Sequence, residues 1–270
     1  QAALMFSANE SLSHTPPNGW LCWTQPGATA AGKSNIALGH GSNQAAGPSA
    51  VDLYMDDWGS SNHIVGHRRW ILYPPQIQME SGSIPFNPQW AANALWVLGP
   101  FGSYPPVIPA GVAWPPRGYV PWHVLPRASN RWSLSLRNAN FATARVSMKR
   151  DGVVLPAPVY EPIQSGYGDN TLVWRPAGVT YSQPVADVTY NVTITGITGS
   201  GVPSTITYDL IVIDPTASGP DPNQPPTILA PASIRVTEDV SSSLAGIAFA
   251  DPDAGTGSLT ATFSVPRGTL

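Results

Sequence analysis

The chemistry that this sequence offers is concentrated between residues 50 and 72, which read AVDLYMDDWGSSNHIVGHRRWIL. Within this stretch lie the adjacent acids Asp56 and Asp57, two histidines and a pair of arginines. Imidazole and carboxylate groups bind zinc in proteins, and imidazole also exchanges protons near neutral pH. The stretch therefore predicts part of a metal-binding or acid–base site that the fold must complete with residues from elsewhere.

The two histidines of this stretch, His63 and His67, lie one helical turn apart in the sequence. On a regular helix that spacing would place both rings on one face, where they would suit a metal ion. Gly66 interrupts the helical pattern between them, so a turn is also compatible with the sequence. Arg68 and Arg69 follow directly, and we expect them to brace the site by pairing with the aspartates at 56 or 57 rather than to bind an anion.

The composition argues against one class of partner. Charged residues make up 11% of the chain, whereas about 25% is usual for soluble domains. The net charge is -3 without any basic cluster, and a nucleic-acid-binding surface needs several Lys or Arg on one face. We therefore expect no nucleic-acid partner, and a surface wetted by small polar residues is typical of exported β-rich proteins.

The cysteine content and the length of the apolar runs bear on disulfide bonds and on transmembrane segments. Cys22 is the only cysteine, and the sequence favours a buried small hydrophobic residue over a thiol that pairs with a missing segment. Apolar runs stay shorter than the ~18 residues needed to cross a bilayer, so no transmembrane segment is predicted. A helical pattern begins at Gln1 and a strand pattern is interrupted at Leu270, so we expect both ends to continue in a longer polypeptide.

Residues 1–102 predict mixed α+β structure. A helix opens the chain, a proline-rich turn follows, and residues 30–47 have the small-residue composition of a loop. A second helix is expected to begin at Pro48, with Ser49 as its cap and with its apolar side chains on one face. Two strands, at 77–84 and 93–101, complete this part.

Residues 103–215 predict a β-sandwich, because apolar and polar residues alternate and turn signals recur. Tryptophans at 114, 122, 132 and 174 would fill its core or, as an alternative, stack on sugars. Residues 216–226 have the composition of a proline-stiffened linker, and residues 227–270 predict part of a second sandwich. The expected strands of the first sandwich read RWSLSLRN, ARVSMKRDGVVL, NTLVWRP, YNVTITGI and TITYDLIVID.

The first part of the chain resembles the bacterial CAP (SCP-like, pathogenesis-related) domain. The matching segments, in chain order, are LSHTPP, SNIALG, AVDLYMDD, GHRRWIL and NALWVLGPFG. They correspond to the end of an alanine-rich helix, a Gly-Glu-Asn-Ile-Ala loop, a helix ending in an acid, a Gly-His-Arg turn and a final strand pair. The resemblance covers residues 1–102, lacks the family's first helix, and implies a truncated α/β/α sandwich.

The family's cleft carries two histidines and two glutamates, and its members bind divalent metals in some cases and sterols, lipids or glycans in others. The resemblance implies that His14 and His67 are the two histidines and that Asp57 stands for the second glutamate. The first glutamate falls on Ser34, which has no carboxylate. Zinc or another divalent metal is therefore a candidate cofactor. No Gly-x-Ser-x-Gly motif surrounds Ser34, so no catalytic residue is assigned.

The tail resembles the cadherin-like repeats of large bacterial adhesins through VTEDVSSSLAG and FADPDAGTGSL, and DPNQPP resembles their linker. The middle region resembles an Ig-like sandwich, which implies no particular function. Acids of the adhesin repeats bind calcium, a cation that takes about six to eight oxygen ligands. The candidate calcium ligands are Asp221, Asn223, Glu238, Asp239, Asp251 and Asp253.

The sequence as a whole predicts a secreted or surface-displayed bacterial binding or adhesion protein, with a CAP-like head on a calcium-stiffened stalk. Its partner would be a protein, glycan or lipid outside the cell. Two alternatives stay open: a metal-dependent hydrolase that uses His14, His67 and Asp57, and a purely structural spacer. The placement of the two imidazoles and of the Asp57 carboxylate distinguishes these alternatives.

Overall fold

A three-stranded antiparallel sheet organises the N-terminal part of the computed structural model. Its strands are β1 (Ser34–His40), β2 (Glu80–Ile84) and β3 (Trp90–Trp96), in the order β1-β3-β2. The structure describes residues 1–86, 90–105, 110–217, 225–237, 239–243, 245–251 and 260–264. All of the residues from 91 to 95 on the central strand are buried, so both faces of this sheet are covered.

Helices cover the two faces of this sheet. Helices α1 (Ala2–Asn9) and α2 (Gln25–Lys33) share a hydrophobic cluster with Ala92 and Ala94 of β3. Helix α3 (Pro48–Asp56) shares another cluster with Ala91 and Leu95. Because successive side chains of a strand point to opposite faces, these alternating positions define three layers. We call this part, residues 1–102, the head.

The predicted opening helix, the helix at Pro48 and the two strands are confirmed, although the second strand runs from Trp90 to Trp96 instead of over 93–101. Helix α2 and strand β1 occupy much of the segment that was predicted as loop. The hydroxyl of Thr24 caps α2 by accepting a hydrogen bond from the Gly27 amide at 3.1 Å, a signal hidden among small residues. The expected Ser49 cap is wrong, since Gly47 is the N-cap residue of α3 and makes no side-chain hydrogen bond.

Cys22 is exposed, so its predicted burial is wrong. The residue has a φ of 59°, in the left-handed region, within the turn that joins α1 to α2. The amide of the next residue, Trp23, donates to the carbonyl of Trp20 at 3.2 Å and closes this turn. The tight turn therefore leaves the thiol on the surface.

A two-sheet β-sandwich follows the head, and it contains the five predicted strands. Its core is centred on Trp132 and Trp174, both 0% exposed, and on Tyr190, whose ring centroid lies 5.8 Å from that of Trp132. These two tryptophans therefore serve packing and not sugar stacking. One sheet has the order β4-β6-β10-β9 and the other β5-β12-β11-β7-β8, with β4 (Val112–Trp114), β5 (Gly118–Pro121), β6 (Trp132–Ser135), β7 (Arg145–Arg150), β8 (Val153–Val154), β9 (Val159–Tyr160), β10 (Thr171–Arg175), β11 (Val188–Thr195) and β12 (Thr205–Ile213).

The chain divides into two compact units, residues 1–214 and residues 215–270. The first contains the head and the sandwich together, with the position at 102 in its interior. In the second, β13 (Thr227–Leu229) pairs antiparallel with β14 (Ala248–Ala250). The architecture is thus α+β in the head and β in the rest. Among the described residues, none of the helices has the length and apolar character needed to cross a bilayer.

Helix α4 (Gly66–Ile71) joins the head to the sandwich through Arg68, which is 1% exposed. Its guanidinium donates to the carbonyls of Met55 and Asp56 at 2.6 and 3.0 Å, and to the carbonyl of Arg131 in the sandwich at 2.8 Å. Burial lowers the pKa of Arg68 to about 10, although the nearby charge of Asp57 opposes this shift. The group therefore keeps its charge at neutral pH and satisfies backbone oxygens from both parts.

Arg69 and Asp56 form further contacts across the same junction. The guanidinium of Arg69 donates to the carbonyls of Gln164 and Asp169, each at 2.9 Å. The carboxylate of Asp56 accepts from the sandwich amides of Ala128 and Ser129 at 2.9 and 2.8 Å. The predicted pairing of Arg68 and Arg69 with aspartate side chains is therefore wrong. Both arginines donate to carbonyl oxygens instead, because backbone oxygens buried at the junction need hydrogen-bond donors.

We predict that Arg68→Met lowers the free energy of unfolding by on the order of 3 kcal/mol, because it leaves buried carbonyl oxygens without a donor. Urea denaturation followed by tryptophan fluorescence measures this loss. Arg145→Met is the matched control, since Arg145 is exposed and, within the described parts of the chain, donates only to the adjacent Ala144 carbonyl. Equal stability of the two variants would contradict the assigned role.

Candidate functional site

A cavity of about 380 Å³ in the first compact unit brings together three of the four residues that the resemblance indicated. His14, Ser34 and His67 all line it. The remaining lining includes an apolar wall of Ile64, Trp70, Val97, Leu98 and Tyr167. A second cavity of about 370 Å³, in the sandwich, has no histidine among its lining residues. The histidine-lined cavity is therefore the candidate functional site.

The side chain of Asp57 fixes the orientation of the His67 ring from behind. Nδ1 of His67 lies 2.7 Å from Oδ1 of Asp57, whose side chain is 0% exposed. Because a carboxylate only accepts, the hydrogen-bond network assigns the ring proton of the neutral imidazole to Nδ1. Nε2 is then the nitrogen left for a ligand, while Asp57 supports the ring without lining the cavity.

The backbone turns sharply to place Asp57 in this position. Helix α3 ends there, and Asp57 adopts a left-handed conformation with φ 55° and ψ 47°. Its Oδ2 accepts hydrogen bonds from the amides of His67 at 3.0 Å and Arg68 at 3.4 Å. The same carboxylate therefore anchors the first turn of α4, where free amides favour a negative charge.

Val65 carries backbone strain immediately before this helix. The residue is 0% exposed and has a φ of 49° and a ψ of 45°. A β-branched residue rarely adopts this conformation, which costs on the order of 1–3 kcal/mol unless the surroundings enforce it. Two left-handed residues, Asp57 and Val65, thus bound the turn that leads to His67.

His14 reaches the cavity from the turn after α1. Its Nδ1 lies 2.9 Å from the carbonyl oxygen of Ala31 in α2. A carbonyl oxygen also only accepts, so the neutral ring of His14 again carries its proton on Nδ1. The two histidines therefore share one tautomer, and each keeps Nε2 for a ligand.

Buried polar side chains of helix α3 and of the head sheet support His67. Tyr54 stacks on this ring, with centroids 5.5 Å apart, and its hydroxyl donates to Oδ1 of Asn93 at 2.9 Å. Burial raises the pKa of Tyr54, so the hydroxyl stays protonated. Nδ2 of Asn35 donates to the His67 carbonyl at 3.0 Å. Helix α3 thus packs against the ring of His67, and strand β1 holds its backbone.

Ser34 stands where the resemblance leads one to expect a carboxylate. Its hydroxyl is buried and has no hydrogen-bond partner among the described residues. The first position of β1 therefore supplies a small polar group to the lining and no negative charge. An unpaired buried hydroxyl is unfavourable by about 1–3 kcal/mol, which makes a ligand atom a suitable partner.

His63 does not belong to the cavity lining. It precedes α4, follows a short 3-10 turn at Ser60–Asn62, and directs Nδ1 to the Ser60 carbonyl at 3.1 Å. The hypothesis that His63 and His67 share a helical face is therefore wrong. Among the described residues there is also no group of three or more His, Cys, Asp or Glu side chains placed to hold a metal ion.

Sequence reasoning missed the contributions of Asn35 and Tyr167. Asn35 lies in the segment that matched a family loop, but nothing in its pattern indicated a bond to the His67 carbonyl. Tyr167 lies in the sandwich, and the sequence carried no signal that it would line a cavity of the head. Contacts such as that between Arg69 and Asp169 join residues 100 positions apart and require the folded chain.

The predicted calcium ligands fall mostly outside the described residues. This applies to Asp221, Asn223, Glu238 and Asp253. Asp239 is described and has a left-handed φ of 59°, and Asp251 directly follows β14. Calcium binding by the tail stays a prediction.

In comparisons with known proteins, no family model matches this chain, and no curated protein is significantly similar to it.

We predict that Asp57→Asn shifts the neutral His67 ring towards the Nε2-protonated tautomer. Both oxygens of Asp57 accept from His67, so an amide NH₂ in either position would face a donor. Imidazole nitrogen chemical shifts measured by NMR report the tautomer. The shifts of His14 serve as the internal control, since its Nδ1 bonds to Ala31 instead. An unchanged His67 tautomer in the variant would contradict the assignment.

Proposed function

We propose that this chain is part of an exported binding protein and that its histidine-lined cavity is the ligand site, which takes a divalent cation through Nε2 of His14 and Nε2 of His67. One observation carries the proposal. Both histidines line the same cavity, and each has Nδ1 engaged by an oxygen acceptor. Histidines that bind metals nearly always donate their second ring nitrogen to a carboxylate or a carbonyl in this way.

The donor set suits a site that needs an outside ligand to be complete. Zinc and similar cations favour four ligands, and in catalytic sites the protein commonly supplies three. Here the described chain supplies two imidazoles, and the Ser34 hydroxyl adds a polar group to the same lining. The other positions are left to ligand atoms or water. A cation held in this way would connect the protein to an oxygen-bearing ligand.

Asp57 would act through His67 and not as a direct ligand. Its Oδ1 lies 2.7 Å from Nδ1 of His67 and accepts the hydrogen bond from Nδ1–H. This contact raises the electron density available at Nε2 of the same ring. This differs from the role that the resemblance implies, in which an acid is one of the four cleft residues. In this chain Asp57 would therefore set the orientation of the His67 ring, which binds the cation.

The Asp57–His67 pair also favours a second candidate function, hydrolysis. The buried carboxylate holds Nδ1–H of His67 and leaves Nε2 to bind a divalent cation together with His14. A bound divalent cation would supply Lewis acidity and lower the pKa of a coordinated water. The test is turnover of p-nitrophenyl acetate with added zinc, which hydrolysis predicts to be lost in His67→Ala and retained in His63→Ala.

The remainder of the chain suits a supporting role outside the cell. The sparse charge of the sequence and its β-rich sandwich are typical of exported proteins, and the tail resembles adhesin repeats. We propose secretion or surface display, with a protein, glycan or lipid as the partner of the whole polypeptide. Protease accessibility on intact cells that express the full protein tests this placement. Full protection of an intact, folded chain would contradict it.

We predict that the wild-type protein binds one Co²⁺ or Zn²⁺ in titration calorimetry, and that His14→Ala and His67→Ala each weaken this affinity at least about tenfold. Asp57→Asn should weaken it by roughly 10–100-fold, because it disturbs the orientation of the ring. His63→Ala is the matched control and should bind like the wild type. Equal binding heats in wild type and in the doubly substituted protein, His14→Ala with His67→Ala, would contradict the site.

A further inference from the structure

The sandwich contributes one aromatic side chain to the cavity of the head. Tyr167 lies between β9 and β10, and it lines the same cavity as His14 and His67. The cavity is therefore built from two parts of the first compact unit. A site of this kind depends on the junction that holds the two parts together.

The ring of Tyr167 lies directly against Gly66, the first residue of α4. A Cβ added at Gly66 would stand 3.0 Å from Cδ1 and 3.1 Å from Cε1 of this ring. Such distances are closer than ordinary van der Waals contact, so only a glycine allows the ring to sit there undisturbed. Gly66 directly precedes His67, so the tyrosine covers the backbone that carries the candidate ligand.

The side chains of α4 hold Tyr167 from a second direction. The Arg69 guanidinium carbon lies 5.5 Å from the centroid of the tyrosine ring, and the Trp70 ring lies 6.5 Å from it. The same guanidinium donates to the Gln164 and Asp169 carbonyls, which flank Tyr167 in the sequence. The segment that carries the tyrosine is thus fixed to the helix that carries His67.

We infer that Tyr167 is a positioning residue of the head cavity: its ring fixes the start of α4 and so holds His67 Nε2 in place for the ligand. The inference rests on the proposed function for its ligand, but the effect on His67 exists without one. Positioning through packing requires the aromatic ring and not its hydroxyl. The tyrosine should therefore be replaceable by phenylalanine and not by alanine.

The test compares the exchange of the His67 Nδ1 proton with solvent, followed by NMR in the metal-free protein. We expect Tyr167→Ala to accelerate this exchange at least about fivefold, because the first turn of α4 loses its cover and opens more often. Tyr167→Phe should exchange like the wild type. Tyr119→Ala, which removes a tyrosine that is 69% exposed on β5, is the control and should also leave the exchange unchanged.

A second variant keeps the tyrosine and disturbs only the contact. Gly66→Ala must displace the ring by a few tenths of an ångström, and it should accelerate the same exchange in the wild-type background. Combined with Tyr167→Ala, it should add no further acceleration, because the obstructing ring is gone. Exchange at the wild-type rate in folded Tyr167→Ala would overturn the inference.

Cobalt titration separates this inference from the proposed function. If wild type binds Co²⁺, Tyr167→Ala should weaken the affinity about tenfold, and Tyr167→Phe should bind with the wild-type affinity. If wild type binds none, the proposed metal site is wrong, and proton exchange alone decides the positioning role. Unchanged Co²⁺ affinity in Tyr167→Ala would overturn the claim that positioning matters for the ligand.

Discussion

The buried carboxylate of Asp57 is the interaction on which the rest of the site depends. A charge that is removed from water must find partners within the protein. Here the partners are the Nδ1–H and the amide of His67, with the amide of Arg68 beside them. One side chain therefore sets the tautomer of a histidine and the start of a helix. The Asp57 carbonyl also accepts from the Arg131 guanidinium at 2.9 Å, which extends the network into the sandwich.

Charged residues are few in this sequence, and several of them belong to this network. Only 13 residues are Lys or Arg, yet Arg68, Arg69 and Arg131 are buried at the junction between head and sandwich. Each donates hydrogen bonds to backbone carbonyls or to an acid. These three buried arginines thus lie where the head and the sandwich meet. The head and the sandwich act as one body, and Tyr167 can serve the cavity only because of this.

Local patterns predicted the parts of the fold that local physics determines. Apolar and polar residues alternate along β7, β11 and β12, as is typical of strands with one buried face. The sequence therefore predicted these strands. Helix α2 was missed because its glycine and alanine residues resemble those of a loop, and its cap at Thr24 is a single residue. His14 and His67 followed from a resemblance. Their common tautomer and the part played by Tyr167 depend on contacts between distant residues, which no local pattern encodes.

The central claim is that two imidazoles in one cavity present their Nε2 atoms to the same ligand. The most direct measurement is X-ray absorption at the cobalt K edge of the stoichiometrically loaded protein. The account predicts multiple-scattering features of two imidazole rings, with one ring lost in His14→Ala and one lost in His67→Ala. A coordination shell made of oxygen atoms alone, unchanged by either substitution, would contradict it.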